Sequence, residues 1–305
     1  MATTQPAIQS QTGTHTPLHL WHLASLDAPT VAVTWTLAFA SSFQVHLPLW
    51  LPITLALATW AAYIADRLLD AHRARVSLAG ASDPCPLIPD LCSLRPRHHF
   101  HWKHRRLFIP LALFAGLAAL TLVLINMPPA ARERNSVLAA AALAYFTSVH
   151  NPWRLPSPKF RLRLPKELLV ALIFTLACAV PTLTRISSRI PTRRPELLIP
   201  ILAFIALAWL NCQAIETWES ATAAHNPIFP LAATLAASTA LVVTIFLAAH
   251  QASIAALLAA AATSAALLAV LDRHRHRITP TTLRAAADLV LLTPLVLLIT
   301  PVFTQ

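Results

Sequence analysis

Glycine and charge are both scarce in this sequence. Glycine occurs only 3 times in 305 residues, so the Gly-rich loops that bind phosphate groups or dinucleotides have no residues from which to form. Charged residues make up 11% of the chain, whereas soluble domains carry about 25%, so there is too little charge to cover a surface that faces water. The 4 cysteines suggest no disulfide framework, and their spacing relative to the histidines fits no common zinc finger.

Long apolar blocks take the place of the missing charges. Hydrophobic residues make up 56% of the sequence, in blocks that approach the roughly 20 residues needed for a helical crossing of a bilayer. The blocks lack the period-two alternation of barrel strands, and Ala- and Leu-rich segments satisfy their backbone groups in lipid as helices. We therefore predict an all-α polytopic membrane bundle of about nine transmembrane helices, at 30–45, 49–64, 108–125, 137–149, 168–183, 197–210, 228–248, 252–271 and 283–302.

The residues outside these blocks predict the domain organisation and the topology. Residues 1–27 are polar and lack the pattern of a signal peptide, so we expect a polar tail, with an interfacial piece around 18–26, before a single transmembrane domain over 28–305. Lysine and arginine are concentrated in loop 71–106 and after spans four and eight, so the positive-inside rule places these loops and the N-terminus in the cytoplasm. We expect a multi-pass protein of a bacterial inner membrane. Topology explains the net charge of +11, so we predict the lipid bilayer and no nucleic acid as a partner.

A pair of aspartates marks the end of the second predicted span. Asp66 and Asp70 lie four residues apart, so they share one face of a helix, where two negative charges repel unless a cation lies between them. A hard divalent ion such as Mg²⁺ would satisfy both carboxylates and could bridge to a phosphate. The alternative is an ordinary helix end, at which the aspartates pair with Arg67 and Arg73.

A second acidic segment ends the sixth predicted span, on the same side of the membrane. Asn211, Glu216 and Glu219 follow an apolar block, as the aspartates do, and the two glutamates share one helix face. Charges that persist close to the bilayer usually mark a site or a structural pair, because burying them is unfavourable. Two such ends in corresponding positions of the two halves of the chain favour a shared site, and the alternative is a solvated helix end.

Basic side chains that could contact a diphosphate lie between the two acidic segments. The run 95–106 includes Arg95 and Arg97 among histidines and aromatics, and it could bind a diphosphate or anionic headgroups, or be a positive-inside loop. Lys166 opens the fifth span, where it could reach the same cavity or anchor the helix at the interface. In the ninth span, Arg284 and Asp288 lie four residues apart and are predicted to form a buried pair.

Together these features resemble the UbiA family of membrane prenyltransferases, over residues 28–303. That family has nine transmembrane helices and two aspartate-rich motifs, at the cytoplasmic ends of helices two and six, which hold Mg²⁺ against the diphosphate of a polyprenyl donor. Asp66-Arg67-Leu-Leu-Asp70 resembles half of the first motif, Asn211 to Glu219 lie where the second belongs, and Lys166 stands where the family often has a lysine. Ala62 replaces the family's usual asparagine, and the second segment contains no aspartate.

The resemblance implies a Mg²⁺-dependent prenyltransferase that moves a polyprenyl group from its diphosphate to a membrane-soluble, aromatic acceptor. It implies catalytic roles for Asp66, Asp70 and Lys166. The implied substrate-binding residues are Arg67, Arg95, Arg97, Lys166 and Asn211, and the implied metal ligands are Asp66, Asp70, Asn211, Glu216 and Glu219. Two alternatives stay open. One is a lipid-binding or scaffold protein that keeps the fold without activity, with both glutamates in solvent, and the other is a transporter, which would need polar residues along several spans.

Overall fold

The described part of the chain is helical. A computed structural model describes residues 17–79, 96–150, 165–189, 194–219 and 228–299, and within these ranges it contains helices and no strand, which confirms the predicted all-α class. A 3-10 turn at Arg275–Arg277 follows the tenth helix. The helices are α1 (Pro17–Leu23), α2 (Asp27–Ser42), α3 (Trp50–Ala79), α4 (Pro96–Lys103), α5 (Arg105–Asn126), α6 (Pro129–His150), α7 (Lys166–Arg189), α8 (Arg194–Glu219), α9 (Ile228–Ala248), α10 (Ala252–His274), α11 (Pro280–Val290) and α12 (Leu295–Ile299).

Within the described ranges, 5 helical segments are long and apolar enough to cross a membrane. The helices α5 and α9 also expose large apolar side chains, among them Phe114, Leu117, Leu241 and Ile245, which a bilayer would cover. These helices indicate an integral membrane protein. The other predicted spans fall on α2, α3, α6 and the α11–α12 segment, and α2, with 16 residues, is shorter than a full crossing. The 5 segments are Arg105–Asn126, Lys166–Ile186, Glu196–Glu219, Ile228–Ala248 and Ala252–Arg277.

An aromatic stack lies at the centre of the core. Trp35 of α2 stacks on Phe204 of α8, with ring centroids 3.8 Å apart, and Phe39 contacts the same phenyl ring edge-on. Fully buried side chains of α7 and α10, such as Cys178 and Leu257, complete this cluster. Aromatic pairs of this kind contribute about 0.5–1.5 kcal/mol beyond the burial of their area. The stack therefore ties α2, near the N-terminus, to helices from the second half of the chain.

The ninth predicted span is interrupted at Pro294. The proline has no N–H to donate to the Val290 carbonyl, and α11 ends at that valine. The Ser264 hydroxyl donates to this carbonyl instead, at 2.8 Å, and Trp35 Nε1 donates to the Leu291 carbonyl at 2.9 Å. Neighbouring helices thereby satisfy carbonyls that the break leaves open, which is necessary where water is absent. The structure thus differs from an unbroken ninth span at residues 291–294.

Three helices end in a left-handed residue other than glycine. Ser25, Gln44 and His250 have φ angles of 56°, 52° and 59°, each two residues after the end of its helix. The next backbone N–H in each case donates to the carbonyl five residues earlier, at 2.8 to 3.1 Å. This is the Schellman motif, in which glycine is the usual left-handed residue because a Cβ is unfavourable there. The scarcity of glycine thus leaves mild backbone strain at these three ends.

The predicted tail and the predicted loop both contain helices. In the predicted tail 1–27, α1 forms over its last part, and the side chains of His22, Ser25 and Asp27 are buried. In the predicted loop 71–106, α3 continues to Ala79 and α4 packs against it, with the Arg75 guanidinium 5.3 Å from the centre of the Trp102 ring. Helical structure thus extends into the predicted tail over residues 17–23, near the expected interfacial piece, and into the predicted loop over 71–79 and 96–103.

Candidate functional site

The two acidic segments open onto one cavity of about 280 Å³. Asp66 reaches this cavity from α3, and Asn211, Glu216 and Glu219 reach it from the last turns of α8. The structure therefore brings together residues from the two halves of the chain. The apolar part of the wall comes from α2, α7, α8 and the residue that follows α11, through Ala28, Val31, Val170, Ala171, Phe174, Ala208, Ile215 and Leu291.

The order of residues along α3 and α8 explains why the acids lie at this cavity. In α3, Ile64 is fully buried two residues before Asp66, and in α8, Leu210 is buried directly before Asn211. In each helix polar residues thus begin next to the core, on turns that still contain fully buried residues such as Ala71 and Ala214. On α8, Asn211 and Glu219 are eight residues apart, close to two full turns, so both side chains lie on one face.

Each glutamate of the second segment is held by a cation. Lys166 Nζ lies 3.1 and 3.2 Å from the carboxylate oxygens of Glu216, and Arg284 Nη1 lies 2.6 Å from Glu219 Oε1. The first pair is open to solvent, with side chains 59% and 55% exposed, whereas both side chains of the second are 17% exposed. Glu216 thus lies partly in solvent, as expected for an inactive relative, while Glu219 is mostly enclosed, as expected for a working site.

Arg67 is a buried cation at the same cavity. Its side chain lies in the wall, the residue is 3% exposed, and Nε donates to Ser25 Oγ at 2.9 Å. The same hydroxyl lies 3.3 Å from Nε2 of His101, which is fully buried on α4. The loop between α1 and α2 therefore holds the guanidinium in place. The predicted contact of Arg67 with a diphosphate remains a prediction, since only its position beside the cavity is established.

A second polar cluster, formed by His22, Asp27 and Asp288, lies beside the acidic segments. His22 Nδ1 is 2.8 Å from Asp27 Oδ2 and 3.9 Å from Asp288 Oδ2. The outer oxygens of both carboxylates are occupied: Asp27 Oδ1 accepts from the Ala28 N–H at 3.0 Å, and Asp288 Oδ1 accepts from Asn211 Nδ2 at 3.3 Å. His22 and Asp27 are 1% and 2% exposed, and both aspartates line the cavity.

The charge states of the two N-terminal members follow from their surroundings. Burial outweighs the hydrogen bond to Asp27 and lowers the pKa of His22, which favours a neutral imidazole. Burial also opposes ionisation of Asp27, but the hydrogen bond from His22 and the nearby charge of Arg67 hold the pKa of the Asp27 carboxyl below its ordinary value. At neutral pH the cluster therefore contains a neutral histidine beside a carboxylate.

Several predicted residues lie elsewhere or outside the described residues. Asp70 is half-buried on α3, and it is not among the side chains that line the cavity within the described part of the chain. Arg95 lies outside the described residues, and Arg97 lies in α4 with its side chain outside them. The prediction that Arg284 pairs with Asp288 is wrong. Arg284 instead binds Glu219, which is 65 residues away in the sequence, and Asp288 accepts a hydrogen bond from Asn211, which is 77 residues away.

Sequence analysis missed several polar residues of the cavity. Asp27 opens α2 two residues before Pro29, a pattern typical of a helix start, so only a capping role could be inferred from it. Nothing in the local sequence distinguishes His22 from the other histidines of the chain. Glu167 could have been noted as an acid directly beside Lys166, whose ammonium lies 3.5 Å from it. Two tyrosines, Tyr63 and Tyr145, also line the wall.

The donor chemistry and charge of the cavity are suited to Mg²⁺. Oxygen donors are the ligands that Mg²⁺ prefers. Among the described residues, however, no three of the four predicted carboxylate ligands bring their oxygens within 4.8 Å of one another. Separate carboxylates would therefore have to hold Mg²⁺ together with oxygens from a ligand. The wall contains six carboxyl groups against three cationic side chains, namely Asp27, Asp66, Glu167, Glu216, Glu219 and Asp288 against Arg67, Lys166 and Arg284.

Comparisons with known proteins add no family to this description. The chain matches no model of a protein family, no curated protein and no solved structure. What bears on its function is therefore the cavity itself, with its two acidic segments, its three cations and its apolar wall.

Proposed function

We propose that the chain is a UbiA-like intramembrane prenyltransferase, which transfers a polyprenyl group from its diphosphate to a lipid-soluble, aromatic acceptor in the presence of Mg²⁺. The observation that carries the proposal is the meeting of Asp66 of α3 with the acidic last turns of α8 beside cationic side chains at one cavity. The proposal includes the nine-span arrangement with a cytoplasmic N-terminus, in a bacterial inner membrane. In that arrangement both acidic segments lie on the cytoplasmic side, where a diphosphate can enter.

The cations of the cavity suit a diphosphate leaving group. In the reaction, the bond between the allylic carbon and the diphosphate oxygen breaks, a bond from that carbon to the acceptor forms, and the acceptor loses a proton. Lys166 and Arg67 would donate hydrogen bonds to the departing diphosphate, and Lys166 can leave Glu216 readily because that pair is solvent-exposed. Such preorganised donors act most strongly on charge that develops in the transition state.

Mg²⁺, when bound, would neutralise charge on the leaving diphosphate. The surplus of carboxyl groups at the cavity favours such a cation, because it would offset their repulsion of a diphosphate. Asp66 and Glu219, from the two acidic segments, are the carboxylates best placed to contact it.

The apolar wall suits the isoprenoid. Val31, Val170 and Phe174 line the cavity next to its charged residues, so an allylic carbon could lie between the diphosphate and an apolar surface. The face of an aromatic ring such as Phe174 stabilises nearby positive charge. Exclusion of water by this wall would protect an allylic cation from hydrolysis.

A transfer assay tests this proposal. Purified protein would be incubated with Mg²⁺, radiolabelled polyprenyl diphosphates of graded length and a panel of quinone and haem precursors. We expect a labelled, lipid-soluble product that disappears when Mg²⁺ is chelated. The Asp66→Ala/Asp70→Ala variant should lose it, whereas Glu133→Gln, which changes an exposed acid of α6, should keep it. Neither product nor diphosphate binding with wild-type protein, or equal binding by the double variant, would reject the proposal.

One observation favours a second candidate, a lipid-binding protein without transfer activity. Glu216 and Glu219 are each already paired, with Lys166 and Arg284, so the second segment has its charge neutralised internally. Such a protein would bind a polyprenyl diphosphate or a related lipid through Lys166 and Arg67 without breaking it. Saturable diphosphate binding that needs no Mg²⁺, together with no product from any acceptor, would select this candidate over the enzyme.

A further inference from the structure

The cluster of His22, Asp27 and Asp288 has the composition of a metal site. Within the described residues it is the one group of three or more histidine, cysteine or acidic side chains whose ligand atoms all lie within 4.8 Å of one another. His22 and Asp27 lie five residues apart where α1 meets α2, and Asp288 comes from α11, far away in the sequence. None of them belongs to the acidic segments to which Mg²⁺ was assigned above.

The ligand atoms are close to the spacing that a metal ion requires. Donors bound to one ion at about 2.0–2.2 Å lie roughly 3–3.5 Å from one another. His22 Nδ1 lies 2.8 Å from Asp27 Oδ2 and 3.9 Å from Asp288 Oδ2, so shifts of less than an ångström would suffice. The imidazole would bind as its neutral tautomer, with the proton on Nε2.

Both carboxylates are oriented with one oxygen towards His22. The Ala28 N–H holds Asp27 Oδ1 and the Asn211 amide holds Asp288 Oδ1, which leaves the two Oδ2 atoms directed at the imidazole. Contacts that hold the outer atoms of ligands in this way are typical of the second shell of metal sites. The orientation of the carboxylates is therefore built into the fold.

An independent observation points to a missing partner at the same place. Asn211 is 5% exposed, and its Oδ1 is buried without a hydrogen-bond partner among the described residues. Buried amide oxygens normally accept a hydrogen bond, since a buried acceptor without one is unfavourable by about 1–3 kcal/mol. Its Nδ2 donates to Asp288 Oδ1 at 3.3 Å, so the same amide orients Asp288 and keeps an unused acceptor oxygen at the edge of the cluster.

We propose that His22, Asp27 and Asp288 bind a divalent transition-metal ion such as Zn²⁺, Mn²⁺ or Fe²⁺, with Asn211 orienting Asp288. One imidazole nitrogen with two carboxylate oxygens suits these borderline ions, whereas Mg²⁺ prefers oxygen alone. His22 and Asp27 enclose the ion on the α1–α2 side. Asp288 and Asn211 line the cavity, so an open coordination position would face it and could take water or an oxygen of a ligand. The proposal does not depend on prenyl transfer.

The charges around the cluster leave room for a cation. Arg67 and Arg284 are the positive groups that act on His22, and Arg284 is engaged by Glu219 at 2.6 Å. Three carboxyl groups, of Asp27, Asp288 and Glu219, thus face two guanidiniums, and a bound divalent ion would favour the ionised form of each carboxyl. A divalent ion would also join α1, α2 and α11 through one centre, so its removal should loosen the N-terminal segment.

Metal binding can be measured directly on the full chain. Protein stripped with a chelator and purified in detergent would be titrated with Co²⁺, followed by its visible absorption, and with Mn²⁺, followed by electron paramagnetic resonance. We expect one saturable site per chain, with nitrogen modulation of the Mn²⁺ signal from a single imidazole. The His22→Gln variant should weaken binding by at least about tenfold. The matched control His72→Gln, on α3, should bind like the wild type, and so should Asp66→Asn.

Several results of these titrations would overturn the proposed metal site. No saturable Co²⁺ or Mn²⁺ site in the wild type, or a site without nitrogen modulation, would overturn the proposal without any variant. Equal affinity in His22→Gln and His72→Gln would overturn it as well. Loss of the site in Asp66→Asn but not in His22→Gln would place the ion at the acidic segments instead. Because no diphosphate is present, none of these results depends on prenyl transfer.

Discussion

Glu216 and Glu219 provide a matched pair of substitutions that tests the geometry of the cavity. Each change to glutamine removes one negative charge from the last turns of α8, so the effect on the net charge is the same. The partners differ in burial: Lys166 with Glu216 is 59% and 55% exposed, whereas Arg284 and Glu219 are both 17% exposed and 2.6 Å apart. An exposed ion pair contributes at most about 1 kcal/mol, because solvent screens it.

Removing the partner of a mostly buried cation has a larger effect. A fully buried pair loses about 3–5 kcal/mol when one member is removed, and partial solvent access to Arg284 reduces this to about 2–4 kcal/mol. Glutamine keeps an acceptor oxygen but loses the charge that offsets Arg284, whose Nε is already without a hydrogen-bond partner among the described residues. We therefore expect Glu219→Gln to destabilise the protein several times more than Glu216→Gln.

Reversible unfolding in mixed detergent micelles, followed by circular dichroism, measures both variants under one condition. The double variant Glu219→Gln/Arg284→Met is the control, since it removes the stranded cation and should recover part of the lost stability. Equal destabilisation by the two single variants, or a larger effect at Glu216, would refute the assigned burial of the two pairs and with it the described shape of the cavity.

Three further predictions concern the helical framework, and all can be followed by the same unfolding measurement. Trp35→Ala should destabilise the protein by about 3–5 kcal/mol, because it empties the centre of the core. Trp35→Phe should destabilise it by about 1–2 kcal/mol, because the Leu291 carbonyl loses its hydrogen-bond donor. Unchanged stability in Trp35→Phe would mean that this carbonyl has another partner. Ser264→Ala should lower stability by about 1–3 kcal/mol, since the Val290 carbonyl left open by Pro294 loses the hydrogen bond from the Ser264 hydroxyl. Ser264→Thr keeps a hydroxyl and should retain most of the stability. Gln44→Gly should raise stability by about 0.5–1 kcal/mol by relieving its positive φ, and no gain, or an equal gain in Gln44→Ala, would argue against a left-handed end of α2.

The helices could be predicted from the sequence because their information is local. Apolar blocks and the prolines between them marked every region in which a long helix lies. Hydropathy marks where an apolar stretch ends rather than where the helix ends, so the continuation of α3 to Ala79 was missed. The break at Pro294 was missed for a related reason: a proline near the end of an apolar block is compatible with a terminus as well as with an interruption.

The contacts at the cavity could be predicted only in part, because most of them join distant residues. Spacing along one helix correctly grouped Glu216 with Glu219, but the same argument paired Arg284 with Asp288, and a long guanidinium side chain instead reaches Glu219 on another helix. The cluster of His22, Asp27 and Asp288 has no local signature, since its members come from three separate elements. Only the packing of α1 and α11 against the bundle brings them together.

Calorimetric titration with an unreactive thio-analogue of a polyprenyl diphosphate tests the central claim most directly, namely that Asp66 of α3 and the acidic last turns of α8 form one Mg²⁺-dependent diphosphate site. The account predicts saturable binding of one ligand per chain that requires Mg²⁺, is lost in both Asp66→Asn and Glu219→Gln, and is unchanged in Glu133→Gln. Absence of binding in the presence of Mg²⁺, or binding that all three variants retain, would contradict it.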